Sequence, residues 1–214
     1  MKTKTFYGIE FNVYTDTKID GDFIHPNEAV YFENDIEITG RLEVKNLKAK
    51  KSITVGGSYI VEKWEEVGGF QEVGEFQEVG EFQKVGEYQE VGGFQKVGGS
   101  QKVGGFQEVG EYQEVGGFQE VGGDATIKLG MNVGFSVTVK GTLKVGKRLF
   151  SGICSWRDIS EEEMTITCGK FEGGEIAYGI LKETGLNNKK QELLDKADEL
   201  IKQAQSLKEK AEEL

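Results

Sequence analysis

Proline and histidine occur once each in this 214-residue chain, as Pro26 and His25, and cysteine occurs only twice, as Cys154 and Cys168. The near absence of proline argues against a disordered linker and against collagen, although glycine is abundant at 31 residues. The cysteines lack metal-ligand spacing and are expected as reduced thiols, so no metal or cofactor is expected. No apolar run approaches the length that spans a bilayer. The start, "MKTKTFYGIEFNVYTD", has no apolar h-region and does not read as a signal peptide, so a cytoplasmic home is expected. Basic residues are in deficit, 26 against 37 acidic, for a net charge of -11. Such a surface repels phosphate backbones and anionic lipid, so neither nucleic acid nor membrane is expected as a partner.

What is present in excess is a repeat. "VGEFQEVGEFQKVGEYQEVGGFQKVGG" runs from Val73 to Gly99 with a period of six. With valine in the third place, that place is aliphatic from Ala49 through Val55 and Val61 to Ile127, Val133, Val139 and Val145. Upstream the series slips by one residue and continues in Val44 and Ile38, which a bulge or tight corner would absorb. The first place holds Leu47, Ile53 and Tyr59, then Glu65, then glutamine from Gln71 to Gln119, then Ala125, Met131, Val137 and Leu143. First and third places share one strand face, and the second place between them is mostly Glu, Lys or Thr. The fourth place is usually glycine, expected to supply left-handed backbone at corners.

Short strands, glycine corners and a fixed hexad predict an all-β fold, a single-stranded triangular parallel β-solenoid. Three hexads make a coil of about eighteen residues that climbs about 4.8 Å. Helical spacing is absent from this region. Glutamine occupies a place that is apolar on both flanks, so its amide is predicted to face the lumen. Stacked at strand spacing, Gln71–Gln89–Gln107, Gln77–Gln95–Gln113 and Gln83–Gln101–Gln119 would form three amide ladders. The rival arrangement turns glutamine outward and buries the aromatics.

The sixth place holds Phe70, Phe76, Phe82, Tyr88, Phe94, Ser100, Phe106, Tyr112 and Phe118. These rings are expected as stacked ridges that shield the corners or serve as contact surfaces. In the second place Glu78, Lys96 and Glu114 alternate in sign, whereas Glu72, Glu90 and Glu108 form an acidic column read as solvated glutamates.

The expected organisation is an N-terminal cap over 1–35, a solenoid over 36–148 with its Gln/aromatic-rich tract at 65–123, a C-terminal cap over 149–186, and an amphipathic helix over 187–214. The helix expectation rests on Leu193, Ala197, Leu200, Ala204, Leu207, Ala211 and Leu214, which follow heptad spacing. It would pack along the rod or pair with a second chain as a coiled coil.

The unit "ITVGGS" from Ile53 to Ser58 resembles the hexapeptide repeat of left-handed β-helix proteins, and "IEITGRLEVKNLKAKKSITVGG" from Ile36 to Gly57 resembles bactofilins. The latter resemblance implies a polymer-forming cytoskeletal protein. The expected function is a non-catalytic, self-associating rod or filament subunit, a homo-oligomer held through the helix or through solenoid faces or ends. Two alternatives stand beside it. One is a surface-binding module for ice, carbohydrate or a partner protein. The other is a hexapeptide-type acyltransferase, for which His25, outside the repeat, is the one candidate general base.

Overall fold

The computed structural model describes residues 2–153 and 158–185. From Ile53–Val55 to Met131–Val133 every strand is three residues long, and each buries its first and third residues. Strands pair in parallel with the strand eighteen residues further on, as in Gln71↔Gln89 and Val73↔Val91. Three strands therefore complete a coil, and the three faces enclose one continuous aliphatic core. About nine coils are stacked, for a rod of roughly 40 Å at ordinary strand spacing. The parallel ladder reaches past both ends of 36–148. Asn12 pairs with Val30 below, and Val137 with Ile166 and Thr165 with Ile180 above.

The corner glycines are needed for a different reason from the one expected. Among the described residues the glycines with positive φ are Gly8, Gly21, Gly152, Gly173 and Gly179, none of them in the repeat tract. Instead, at most of the repeat's corner glycines, a Cβ would overlap the backbone one coil below. A Cβ on Gly80 would overlap the Glu62 carbonyl oxygen one coil below. The same approach lets the Gly80 amide donate to the Val61 carbonyl at 2.9 Å, continuing the ladder around the corner.

Corner length varies near both ends of the rod, and strand Thr165–Tyr178 shifts register against Val137–Ser151 between Val139 and Thr142 and between Val145 and Arg148. The one-residue slip lies where strand Leu42–Ala49 turns the corner: only Lys45 and Asn46 separate the inward Val44 from the inward Leu47. Below it, strand Phe23–Phe32 has a register shift between His25 and Ala29, so its corner carries Pro26 to Ala29.

The lowest edge is covered by an antiparallel hairpin of Thr3–Phe6 and Ile9–Tyr14. Tyr7 (φ 54°) and Gly8 (φ 79°) form its turn, the left-handed pair that tight hairpins favour. The hairpin tip lies on the outside of the rod, with Tyr7 5.5 Å from the Trp64 ring and its hydroxyl 3.3 Å from Glu66. Tyr14, Phe23 and Phe32 close the lumen at this end with ring centroids 5.1–5.8 Å apart.

The expected C-terminal α-helix is not part of the fold class. Among the described residues the elements are strands and one 3-10 turn, Glu162–Met164; only the final residues Thr184 and Gly185 take helical backbone. The heptad positions Leu193, Ala197, Leu200, Ala204, Leu207, Ala211 and Leu214 lie outside the described residues, so neither a helix nor a coiled coil is supported.

Candidate interaction surfaces and the amide core

The nine glutamines from Gln71 to Gln119 point into the lumen, each 0–2% exposed. The aromatic sixth-place residues lie on the outside, which excludes the outward-glutamine arrangement. Along each face the amides bond as ladders: Gln89 donates to Gln71 at 2.8 Å, Gln95 to Gln77 at 2.7 Å, and Gln101 to Gln83 at 2.7 Å. The columns are also cross-linked. The second N–H of Gln89 reaches Gln77 on the adjoining face at 3.1 Å, and that of Gln95 reaches Gln83 at 3.2 Å. Gln95 in turn accepts from Gln107 at 3.1 Å and Gln113 at 2.8 Å. A central amide therefore uses both protons and both lone pairs. That matters because an unpaired buried amide group costs about 1–3 kcal/mol.

All these bonds run in one direction, with the later residue donating to the earlier. The amide dipoles add, as peptide dipoles add along a helix, and their N–H end faces the N-terminus. Glu65 stands at that end, fully buried, and its carboxyl group accepts from Gln71 and, at 3.3 Å, from Gln83. Burial pushes the Glu65 carboxyl up to about 8, against the pull of the nearby Tyr59 hydroxyl and of the hydrogen bonds from Gln71 and Gln83. Toward the other end Gln119 carries a buried Oε1 with no partner, because Ala125, Met131 and Val137 above it have nothing to donate.

The outer surface divides into corners and faces. Phe70, Phe82, Phe106, Tyr112 and Phe118 are 41–56% exposed; Phe76, Tyr88 and Phe94 are half-buried. Stacking between rings is partial. Phe76 and Phe94 lie parallel at 5.7 Å, Phe70 and Tyr88 meet edge-on at 6.5 Å, and Phe118 stacks on Phe135 at 4.8 Å. Of the second-place columns, one carries Glu66, Lys84, Lys102 and Glu120 in succession. Each central lysine is paired with the flanking glutamate, at 3.0 and 2.9 Å. Burial opposes ionisation of Glu66, but Lys48 and Lys84 hold its carboxyl below the usual range. Glu72, Glu90 and Glu108 stack in register as expected, and Lys128 reaches Glu108 at 3.2 Å.

His25 lies in the N-terminal coil, its ring 4.5 Å from Phe23 and Nδ1 3.2 Å from Glu28. Asn12 donates to the same glutamate at 2.8 Å, and this bond above all holds the Glu28 carboxyl low, with His25 adding to it. Cys168 is a free thiol in the core, pushed up to about 11 by burial and by nearby Glu183; Cys154 lies outside the described residues. Among the described residues no group of three or more His, Cys, Asp or Glu could hold a metal, and no helix is long and apolar enough to cross a membrane.

Two features escaped the sequence reading. The cross-face amide bonds join residues twelve apart, a spacing invisible without the triangular section. Asn46 is buried at the two-residue corner, and the register slip was its signal. Compared with known family models, curated proteins and solved structures, the chain finds no match, so what stands is the fold itself: a parallel β-solenoid of eighteen-residue coils.

Proposed function

We propose that this protein is a non-catalytic structural rod that associates with further copies of itself through its solenoid faces or ends, in the cytoplasm. The observation that carries this reading is the set of ridge aromatics left 41–56% exposed: Phe70, Phe82, Phe106, Tyr112 and Phe118. Monomeric surfaces rarely array large apolar groups in this way without a use for them. The rings repeat at the coil spacing, so a second rod presents the same period and can match it ridge to ridge. The core supports the reading too, because an interlocked amide network resists bending and gives each ridge a fixed geometry. The likeness of Ile36 to Gly57 to bactofilins points the same way.

Ser100 already occupies a ridge position in this sequence, so serine is compatible with the corner. Replacing Phe70, Phe82, Phe106, Tyr112 and Phe118 together by serine is expected to keep the fold and abolish association. Sedimentation velocity and negative-stain electron microscopy read the result. A wild-type protein that stays monomeric across concentration, or a serine variant that assembles as well as wild type, overturns the reading.

A further inference from the structure

The three faces of the rod differ in how they settle their charges. Two of them pair charges internally: Lys84 with Glu66, Lys102 with Glu120, and Lys96 with Glu78 at 3.2 Å. The third separates them along the rod. Its outward places carry Glu72, Glu90, Glu108, Thr126 and Lys144, stacked in register one coil apart. Glu72 and Lys144 are exposed, and neither forms an ion pair among the described residues. Glu172 stands above Lys144 but is held by Lys170 at 2.6 Å. The corner bordering this face repeats the order. Glu75, Gly93, Glu111, Leu129 and Lys147 are stacked by backbone hydrogen bonds of 2.6–3.2 Å, with exposed Glu75 low and exposed Lys147 high.

Both lines have the same centre. Glu72 lies two rungs below Glu108 and Lys144 two above it; Glu75 and Lys147 stand likewise about Glu111. Given the self-association proposed above, on which this surface assignment rests, we infer that this face docks against the same face of a second copy, the two rods running antiparallel about a two-fold axis level with strand Gln107–Val109. Reversal sets Glu72 opposite the second copy's Lys144 and Glu75 opposite its Lys147, and the two-fold axis makes each pair twice. Parallel docking in register sets like charge against like at every charged rung, which disfavours it. On the axis Glu108 meets its own counterpart, a like pair that Lys128, 3.2 Å from Glu108, neutralises. The two corners at this level present Phe106 and Tyr112, both exposed, so rings close around the charged centre. Phe70 and Phe106, the most exposed ridge rings at 53% and 56%, both border this face.

The test measures association of the full-length protein by sedimentation equilibrium. One variant carries Lys144→Glu and Lys147→Glu, the other Glu72→Lys and Glu75→Lys. Each sets like charges opposite one another and is expected to weaken association about tenfold or more. Mixed together, the two variants oppose unlike charges again at both places and are expected to associate as wild type does. All four positions are exposed, so melting temperatures should stay near that of wild type. Should a reversal fail to fold, Lys144→Met, which keeps the aliphatic stem, is expected to weaken association in the same direction. Variants that associate as well as an assembling wild type overturn this face and leave self-association standing. Weakened variants that do not recover on mixing overturn the antiparallel arrangement. A wild type that stays monomeric overturns both this surface and the self-association beneath it.

Discussion

The side chain of Gln95 donates to Gln77 Oε1, one coil below on the same face, at 2.7 Å, while its other proton reaches Gln83 on the next face at 3.2 Å. One amide thereby ties two faces of the triangle together. Breaking it strands groups on both.

Gln95→Leu keeps similar volume but removes two donated and two accepted hydrogen bonds from the middle of the network. Gln77, Gln83, Gln107 and Gln113 each lose one bond. The expected loss is about 2–4 kcal/mol in urea unfolding, given about 1–3 kcal/mol per stranded buried group and partial rearrangement. Gln119→Leu should cost less, because that amide already has an unpaired oxygen.

Glu65 makes stability depend on pH. Its folded-state value, about 8, lies above the ordinary 4.5, so the folded protein holds this proton more tightly than the unfolded chain. Its contribution is complete below about pH 4.5, declines as pH rises, and is gone above about 8. Melting temperatures measured from pH 5 to pH 9 should therefore fall more steeply for wild type than for Glu65→Gln, which has no carboxyl group to ionise. Parallel profiles would show that Glu65 is not the titrating group.

Corner glycines differ in their tolerance of a methyl group. Gly80→Ala forces Cβ into the Glu62 carbonyl oxygen, whereas at Gly57 the nearest atom would lie 3.1 Å away. Gly80→Ala is expected to destabilise by more than about 2 kcal/mol and Gly57→Ala by less than about 1 kcal/mol, within the range for strained backbone sites. Thermal melts of the two variants give the comparison.

Removing residues 83–100 excises one full coil and joins Phe82 to Gln101, which already stacks on Gln83. Every face keeps its register. The shortened protein should fold cooperatively, lose about 5 Å of length in small-angle scattering, and lose stability in proportion, as repeat proteins do.

Much of this architecture was legible because two constraints acted on each residue at once. Val55, Val73 and Val91 had to alternate with polar neighbours and recur at a fixed period, which few folds allow together. Gln71 could be placed indoors because Ile53 below it and Ala125 above Gln107 fill the same place with apolar groups. The corner glycines were legible as corners but not in their cause: composition suggests left-handed backbone, whereas contact between coils imposes the choice. The burial of Asn46 was visible only as a slip in register. Heptad spacing between Leu193 and Leu214 suggested a helix that the described fold does not include.

Period, alternation and the identity of inward residues are local properties of the chain, and strand sterics suffice to read them. The direction of the amide bonds, the cross-links between faces, the isolation of Glu65 from water and the burial of Asn46 at its two-residue corner are not local. Each depends on which residues from different coils meet at the axis or corner, and such meetings exist only once the triangle has closed.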